Sequence, residues 1–215
     1  MPDPPASTER PRVSILFPDQ RPAAAAMLGR AFVDDPLLCA ILPPIADHDE
    51  RARRMGALFS VILAGGGGQP LLGVLDDGKV AAAAIIEYVE RAPSTASVVI
   101  HDLPHMPAFV RAAGVSGVRR ALSVLDTLTR NRPPERHLYL NVLGVEPALQ
   151  RRHLGGALLD FLCDQSAMRP DFAGVYLETA TEANVGYYTR FGYRVLGEIF
   201  PLGVRMWRML QPRSA

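Results

Sequence analysis

The sequence is poor in several features that would each indicate a class of function. Lys79 is the only lysine among 215 residues, and a formal net charge of +1 argues against a nucleic-acid binder that depends on excess positive charge. The two cysteines, Cys39 and Cys163, lie far apart and form no CxxC or Cys/His pattern, so we expect buried, reduced thiols and no metal. No run of about 18 apolar residues occurs, which predicts no membrane span.

The remaining composition is that of one ordinary globular domain. Residues 1–11 are polar and Pro-rich and lack the basic and apolar blocks of a signal peptide, so we expect a disordered tail and a cytoplasmic location. Residues 12–215 are enough for a single domain. Strands alternate with helices, which favours an α/β or α+β fold. Asp77-Gly78 predicts a hairpin between strands 70–75 and 79–89, and the long helix 106–129 is expected to break near Gly114 or Gly117.

The segment that carries chemistry is residues 139–162, YLNVLGVEPALQRRHLGGALLDFL. A strand leads through a short loop into the N-terminus of an amphipathic helix, whose first amides have no partners in the helix. Such a terminus binds phosphate, and Gly155 and Gly156 would let the backbone approach the ligand. Arg151 and Arg152 add positive charge. No Gly-Lys-Ser/Thr follows, and the dinucleotide GxGxxG pattern is absent. An ordinary strand–turn–helix is the other interpretation.

Two motifs in this half of the chain resemble those of the GNAT acetyltransferase superfamily. Val145-Glu146-Pro147 and then Gln150 to Gly155 resemble the acetyl-CoA motif [Q/R]-x-x-G-x-[G/A], with His153 in the place of the first glycine. About 30 residues later, Asn184 to Tyr193 resembles N-x-x-x-Y-x-x-x-G-[F/Y]. In detail, the C-terminal half is similar to the puromycin N-acetyltransferase branch.

The resemblance implies a fold and a co-substrate. The expected fold is a mixed, mostly antiparallel sheet of six or seven strands with helices on both faces, splayed at the strand that ends near Val145. A bulge at Gly144 would open the splay. The implied co-substrate is acetyl-CoA, with no metal. Its implied contacts are Leu143, Gly144, Val145, Gln150, Arg151, Arg152, His153, Leu154, Gly155, Gly156, Asn184 and Tyr188.

The resemblance also implies catalytic groups. Tyr188 matches the family tyrosine and is our candidate general acid for the departing thiolate. The general base stays open between Glu87, at the polar end of an apolar strand, and Glu178 on a later strand. The other interpretation of either carboxylate is a solvated or salt-bridged side chain.

The acceptor is predicted to be a small, partly hydrophobic amine. Its site should combine residues 34–45, the helix near 106–130 and the last hairpin, whose apolar side chains include Phe32, Leu37 and Trp207. A cluster of acids for a polycation is not evident. We expect no nucleic-acid or membrane partner, and a monomer or homodimer. Alternatives are a non-catalytic acetyl-CoA sensor on the same fold, and a nucleotide-binding enzyme that uses the same helix terminus.

Overall fold

The computed structural model describes residues 11–65, 70–90 and 103–213, so nearly all of the predicted tail lies outside the described residues. The strands are β1 Val13–Ile15, β2 Leu71–Asp76, β3 Lys79–Val89, β4 His137–Val145, β5 Gly174–Thr179, β6 Arg194–Ile199 and β7 Met206–Pro212. The helices are α1 Arg21–Ala31, α2 Pro36–Ile41, α3 His48–Gly65, α4 Met106–Asn131, α5 Leu154–Ala167 and α6 Glu182–Thr189. Short 3-10 turns span Pro18–Gln20, Leu103–His105, Pro147–Leu149 and Pro201–Gly203.

The strands form one seven-stranded sheet in the order β1-β2-β3-β4-β5-β7-β6. Every neighbouring pair is antiparallel except β4 and β5, which are parallel. This confirms the predicted mixed, mostly antiparallel sheet.

Glycines act at the turns and breaks that the sequence indicated. Asp77 and Gly78 both adopt left-handed backbone angles, with φ of 47° and 74°, which the tight turn between β2 and β3 requires. Gly114 interrupts α4 with φ 72° and ψ 168°, whereas Gly117 lies in regular helix. Of the two predicted break points, Gly114 is therefore the one that the chain uses.

The sheet is covered on both faces because its central strand is apolar on both sides. Alternate side chains of β3 face opposite ways. Ala83 and Ile85 pack against α1 and α3, whereas Ala84 and Ile86 pack against α5. We call these the α1 face and the α5 face. The prediction of helices on both faces is confirmed.

The sheet opens between β4 and β5. These two strands pair only at Leu138–Val175 and Tyr139–Tyr176, so the rest of β4 has no partner on that side. The splay is therefore where the sequence predicted it, but the bulge is not. Asn141 is the extra residue, since Ile85 pairs with Val142 and Ile86 with Leu140.

The expected bulge at Gly144 is wrong, and this glycine has another role. Gly144 pairs regularly with Ala83. A β-carbon at Gly144 would lie 2.6 Å from Leu28 Cδ2 and 3.0 Å from Phe32 Cε2. The missing side chain thus lets α1 pack closely on β4.

Neither a membrane-crossing helix nor a cluster of metal ligands occurs among the described residues. Among the described helices, none has the length and apolar character needed to cross a bilayer. In the same ranges, no three His, Cys, Asp or Glu side chains cluster as metal ligands would.

Candidate active site

A cleft of about 1350 Å³ lies where β4 and β5 separate. Its walls are residues 140–145 of β4, 177–181 at the end of β5, the loop and helix start at 146–155, and part of α6. The segment 30–37 and the start of α3 close it on the other side. We call the part at residues 143–155 the loop end. The part that contains Asp34, Asp35, Asp49 and Glu178 is the acidic end.

The loop end presents backbone rather than side chains. Beyond Tyr139, the edge of β4 that faces β5 has no strand partner. α5 begins at Leu154, directly after this edge and the intervening loop, and its first amides point out of the helix. These amides and the helix dipole favour an anion. The loop end therefore offers an extended edge for an amide-bearing chain and a terminus for phosphate, which are the chemical features of coenzyme A.

Two non-glycine residues shape this loop with left-handed backbone. Arg151 has φ 66° and His153, the residue before α5, has φ 60° and ψ 11°. His153 therefore adopts the conformation that the motif glycine would adopt at no cost. A non-glycine residue pays strain there, but the amides that follow are still presented to the cleft.

Gly155 and Gly156 serve packing as well as ligand approach. A β-carbon at Gly155 would lie 3.1 Å from the Tyr187 hydroxyl oxygen, and one at Gly156 would lie 3.0 Å from Phe191 Cζ. Both glycines are buried. They let the aromatic side of α6 lie against the first turn of α5, a role that the sequence did not reveal.

Most of the residues expected to contact the co-substrate line the cleft, but two do not. Lining residues from that set are Leu143, Gly144, Val145, Gln150, Arg151, His153, Leu154, Gly155, Asn184 and Tyr188. Gly156 lies beneath Phe191 and is not among the lining residues of the described chain. Arg152 is also outside that set, and its guanidinium lies 4.0 Å from Asp76 of the β2–β3 hairpin. Of the expected arginine pair, only Arg151 faces the cleft.

An ion pair at the loop end was not expected from the sequence. Arg30 of α1 donates to both carboxylate oxygens of Glu146, at 2.6, 3.1 and 3.2 Å. Both residues line the cleft. The pair ties α1 to the loop that precedes α5. Since 116 residues separate the partners, no local pattern could have indicated it.

Asn184 and Tyr188 enter the cleft from α6. The Asn184 side-chain amide donates to Thr179 Oγ1 at 3.3 Å, which links α6 to the end of β5. Tyr188 is 8% exposed and packs on Tyr187 and Tyr193, with ring centroids 5.6 and 5.5 Å away. Burial raises the pKa of Tyr188 well above that of a free phenol. The Tyr188 hydroxyl thus keeps its proton at neutral pH.

The acidic end corrects the expected acceptor lining. Phe32 and Leu37 line the cleft as predicted, but Trp207 packs in the core of the α5 face and α4 contributes no lining residue. Asp34, Asp35 and Asp49 lie at this end instead. Part of their charge is already compensated, because Asp34 accepts from Arg51 at 2.9 Å and Asp35 accepts from the Leu38 amide at 2.9 Å.

Below the acidic end, the α1 face of the sheet carries a row of polar side chains. Cross-strand pairing places Glu87 beside Tyr139, Tyr139 beside Tyr176, and Glu178 beside Arg208. Period-two alternation puts these side chains on one face, and Arg132 lies over the Tyr139 ring with 3.9 Å from Cζ to the centroid. We call this set the polar layer; its members are Glu87, Arg132, Tyr139, Tyr176, Glu178 and Arg208.

The structure separates the two candidate bases. Glu178 lines the cleft, whereas Glu87 is not a lining residue of the described chain and accepts from Arg132 Nη1 at 3.3 Å. Burial raises the pKa of Glu178, while Tyr176, Arg132, Tyr139 and Arg208 act in the opposite direction. Its Oε1 is buried and makes no hydrogen bond within the described residues. Of the two candidates, Glu178 is therefore the one that lines the cleft, and its pKa is raised.

The chain matches a known protein family and is similar in fold to several solved structures. The model of the acetyltransferase (GNAT) family matches residues 41–193. A chain described as histone acetyltransferase HPA2 and related acetyltransferase, from Corynebacterium glutamicum, is similar in fold, with 21% identity, TM-score 0.65, and coverage of 95% of this chain and 97% of that chain.

Two further solved structures have the same architecture. The ribosomal-protein-S18-alanine N-acetyltransferase from Escherichia coli is 18% identical with TM-score 0.52, and the match covers 96% of each chain. An agmatine N-acetyltransferase variant in its apo form is 17% identical with TM-score 0.56, covering 93% of this chain and 97% of that chain. At these identities the likeness concerns the fold.

Proposed function

The chain belongs to the GNAT acetyltransferase family, and from that premise we propose that it transfers an acetyl group from acetyl-CoA to the amine of a small molecule. One observation supports this most directly. The splay between β4 and β5 joins an unpaired strand edge and a free helix terminus to a buried carboxylate within a single cleft. The two ends of the cleft match the two substrates of such a reaction.

The loop end is the proposed site of acetyl-CoA. The unpaired edge of β4 at Leu143–Val145 would pair with the pantetheine amides, as an added strand does. The first amides of α5 and the Arg151 guanidinium would hold the pyrophosphate. When bound, acetyl-CoA supplies a thioester carbonyl carbon as the acyl donor.

Two residues of the chain would accept and donate the protons that the reaction transfers. Glu178 takes the proton of the attacking amine, so that the nitrogen lone pair is free to form the new C–N bond. Tyr188 donates its hydroxyl proton toward the sulfur as the C–S bond breaks, and it later regains a proton from solvent. Their raised pKa values suit these roles, since Glu178 is made more basic and Tyr188 stays protonated.

The acidic end would take a small amine with an apolar portion. Phe32, Leu37 and Met206 supply apolar surface beside the three aspartates. A cationic amine is favoured by Asp35, whose carboxylate has one oxygen engaged at the start of α2. This arrangement supports an alkyl amine rather than a large polycation, because Asp34 is already paired with Arg51.

The proposal is tested by ligand-dependent unfolding and by acetyl transfer. At a hundred times its dissociation constant, acetyl-CoA should stabilise the protein by about 2.7 kcal/mol, which raises Tm by roughly 5–10 °C. CoA should act similarly, while ATP and NADH serve as controls. Thiol release is then measured with a panel of alkyl amines. Stabilisation by acetyl-CoA with no thiol release for any amine would favour the non-catalytic sensor.

A further inference from the structure

Arg132 is the charged side chain at the centre of the polar layer. It follows the last residue of α4 and its side chain is only 6% exposed. Its guanidinium lies 3.9 Å from the centroid of the Tyr139 ring, and Nη1 lies 3.3 Å from Glu87 Oε2. A buried arginine is costly unless anions compensate it. Glu87 is in contact with that charge, and both Glu87 and Glu178 act to raise the pKa of Arg132.

The sheet register explains why this cation lies under the cleft. Glu87, Tyr139 and Tyr176 are successive cross-strand neighbours at the last paired position before the splay. Glu178 is two residues beyond Tyr176 on the same face, at the point where β5 has left β4. A guanidinium over Tyr139 therefore lies between the two carboxylates.

The second arginine of the layer is committed elsewhere. Arg208 pairs across the sheet with Glu178, but its Nη1 donates to the Asn131 carbonyl at the end of α4 at 2.8 Å. Arg132 has no backbone contact of this kind among the described residues, and its Nε is unpartnered there. Arg132 is thus the cation that contacts Glu87 and that the sheet register places near Glu178.

We propose that Arg132 is a positioning residue for acetyl transfer, which keeps Glu178 ionised and oriented toward the acceptor, and that Glu87 sets the strength of this effect by competing for the same guanidinium. The proposal rests on the function proposed above, since it assigns Arg132 a role through Glu178. In this proposal Glu87 acts only through Arg132 and does not contact the substrate.

The proposal predicts opposite effects for two substitutions. In a plot of kcat/KM against pH, the acid limb is the part where the rate rises as Glu178 loses its proton. Arg132→Met removes a cation near Glu178, so this limb should move to higher pH by about one unit. Glu87→Gln removes the competing anion, so the limb should move to lower pH by a smaller amount. The other titratable and charged groups nearby stay in place in both variants: Tyr139 of β4, Tyr176 of β5 and Arg208 of β7 act on Glu178, His137 packs on Tyr176, and Asp34, Asp35 and Asp49 line the same cleft.

The experiment is a pH–rate series with one amine and the wild type, Arg132→Met, Arg132→Lys, Glu87→Gln and the double variant. The amine is the same throughout, so its own ionisation shifts no comparison. Arg132→Lys keeps the positive charge, so its acid limb should lie close to that of the wild type. In the double variant, Glu87→Gln should add no downward shift to that of Arg132→Met, because there is no guanidinium left to compete for. Acetyl-CoA affinity should stay within about two-fold of wild type in all of them.

The outcomes separate this inference from the function on which it rests. Absence of transfer by the wild type overturns the proposed function. An unchanged rate in Glu178→Gln leaves that function standing but overturns the base role of Glu178, and with it the role of Arg132. Transfer that depends on Glu178 while both single variants leave the limb unmoved, or move it in the same direction, overturns the role of Arg132 alone. If Arg132→Met fails to fold, the limb positions of Glu87→Gln and Arg132→Lys decide the matter.

Discussion

The two ends of the cleft are built in different ways. The loop end is one continuous piece of chain, from the unpaired edge of β4 through the left-handed residues to the first turn of α5, and it offers mainly backbone groups. The polar layer below the acidic end draws on β3, β4, β5, β7 and the residue after α4, and it offers charged side chains that are largely buried. A site made of backbone groups keeps those groups when a side chain is replaced. Removal of a buried charged side chain instead leaves its partner unpaired. Substitutions should therefore have much larger effects at the acidic end.

The strongest test of this difference is Glu178→Gln. Loss of the proposed base should lower kcat/KM by about 10²–10³ at a pH where Glu178 is ionised, because general-base catalysis contributes on that scale. Acetyl-CoA affinity should be unchanged, since Glu178 is not one of the expected contacts of acetyl-CoA.

Glu198→Gln is the matched control for that substitution. Glu198 is another glutamate of the sheet. It forms an ion pair with Arg205 at 2.6 Å, and it does not line the cleft in the described chain. Equal losses in the two variants would mean that the rate reflects general damage to the sheet and not a base.

The difference in construction also explains what the sequence revealed. The sequence alone indicated the loop end and α6, because both carry local patterns: Gln150 to Gly155 and Asn184 to Tyr193. The position of the bulge depends on how β3 pairs with β4, so Asn141 was missed and Gly144 was chosen wrongly. Arg132 and Glu87 meet only through tertiary packing, across 45 residues, so no spacing rule could join them.

Tyr188 of α6 is the exception among the expected co-substrate contacts, because its side chain is proposed to act. Tyr188→Phe should lower turnover by at least about ten-fold, which corresponds to about 1.4 kcal/mol in the barrier, and leave acetyl-CoA affinity nearly intact. Tyr193→Phe is its control: the ring lies 5.5 Å from Tyr188 and is buried, but it does not line the cleft in the described residues. Similar rates for wild type and Tyr188→Phe would remove Tyr188 from the mechanism.

The pH dependence of the free energy of unfolding is a further test at Glu178. Because burial raises the pKa of Glu178, the folded protein holds this proton more tightly than the unfolded chain, whose carboxyl titrates near about 4.3. The stabilisation is complete below that pH and is lost as pH rises through the folded pKa. Glu178→Gln lacks this term. Urea unfolding should thus show the variant gaining stability relative to wild type across this window, and a difference independent of pH would contradict the assignment.

The smallest effects are expected at His153, where the comparison is sharpest. His153→Gly relieves left-handed strain but also gives the unfolded chain more freedom, and these effects oppose each other. The free energy of unfolding should change by less than about 1 kcal/mol, and acetyl-CoA affinity by less than about three-fold, because the amides of α5 are presented in either case. His153→Val keeps the same amides, but a β-branched residue is strongly disfavoured at φ 60°. It should lower the free energy of unfolding by about 1–2 kcal/mol. If His153→Gly instead weakened acetyl-CoA binding ten-fold, the imidazole itself would be a ligand contact, and the loop end would not be a backbone site.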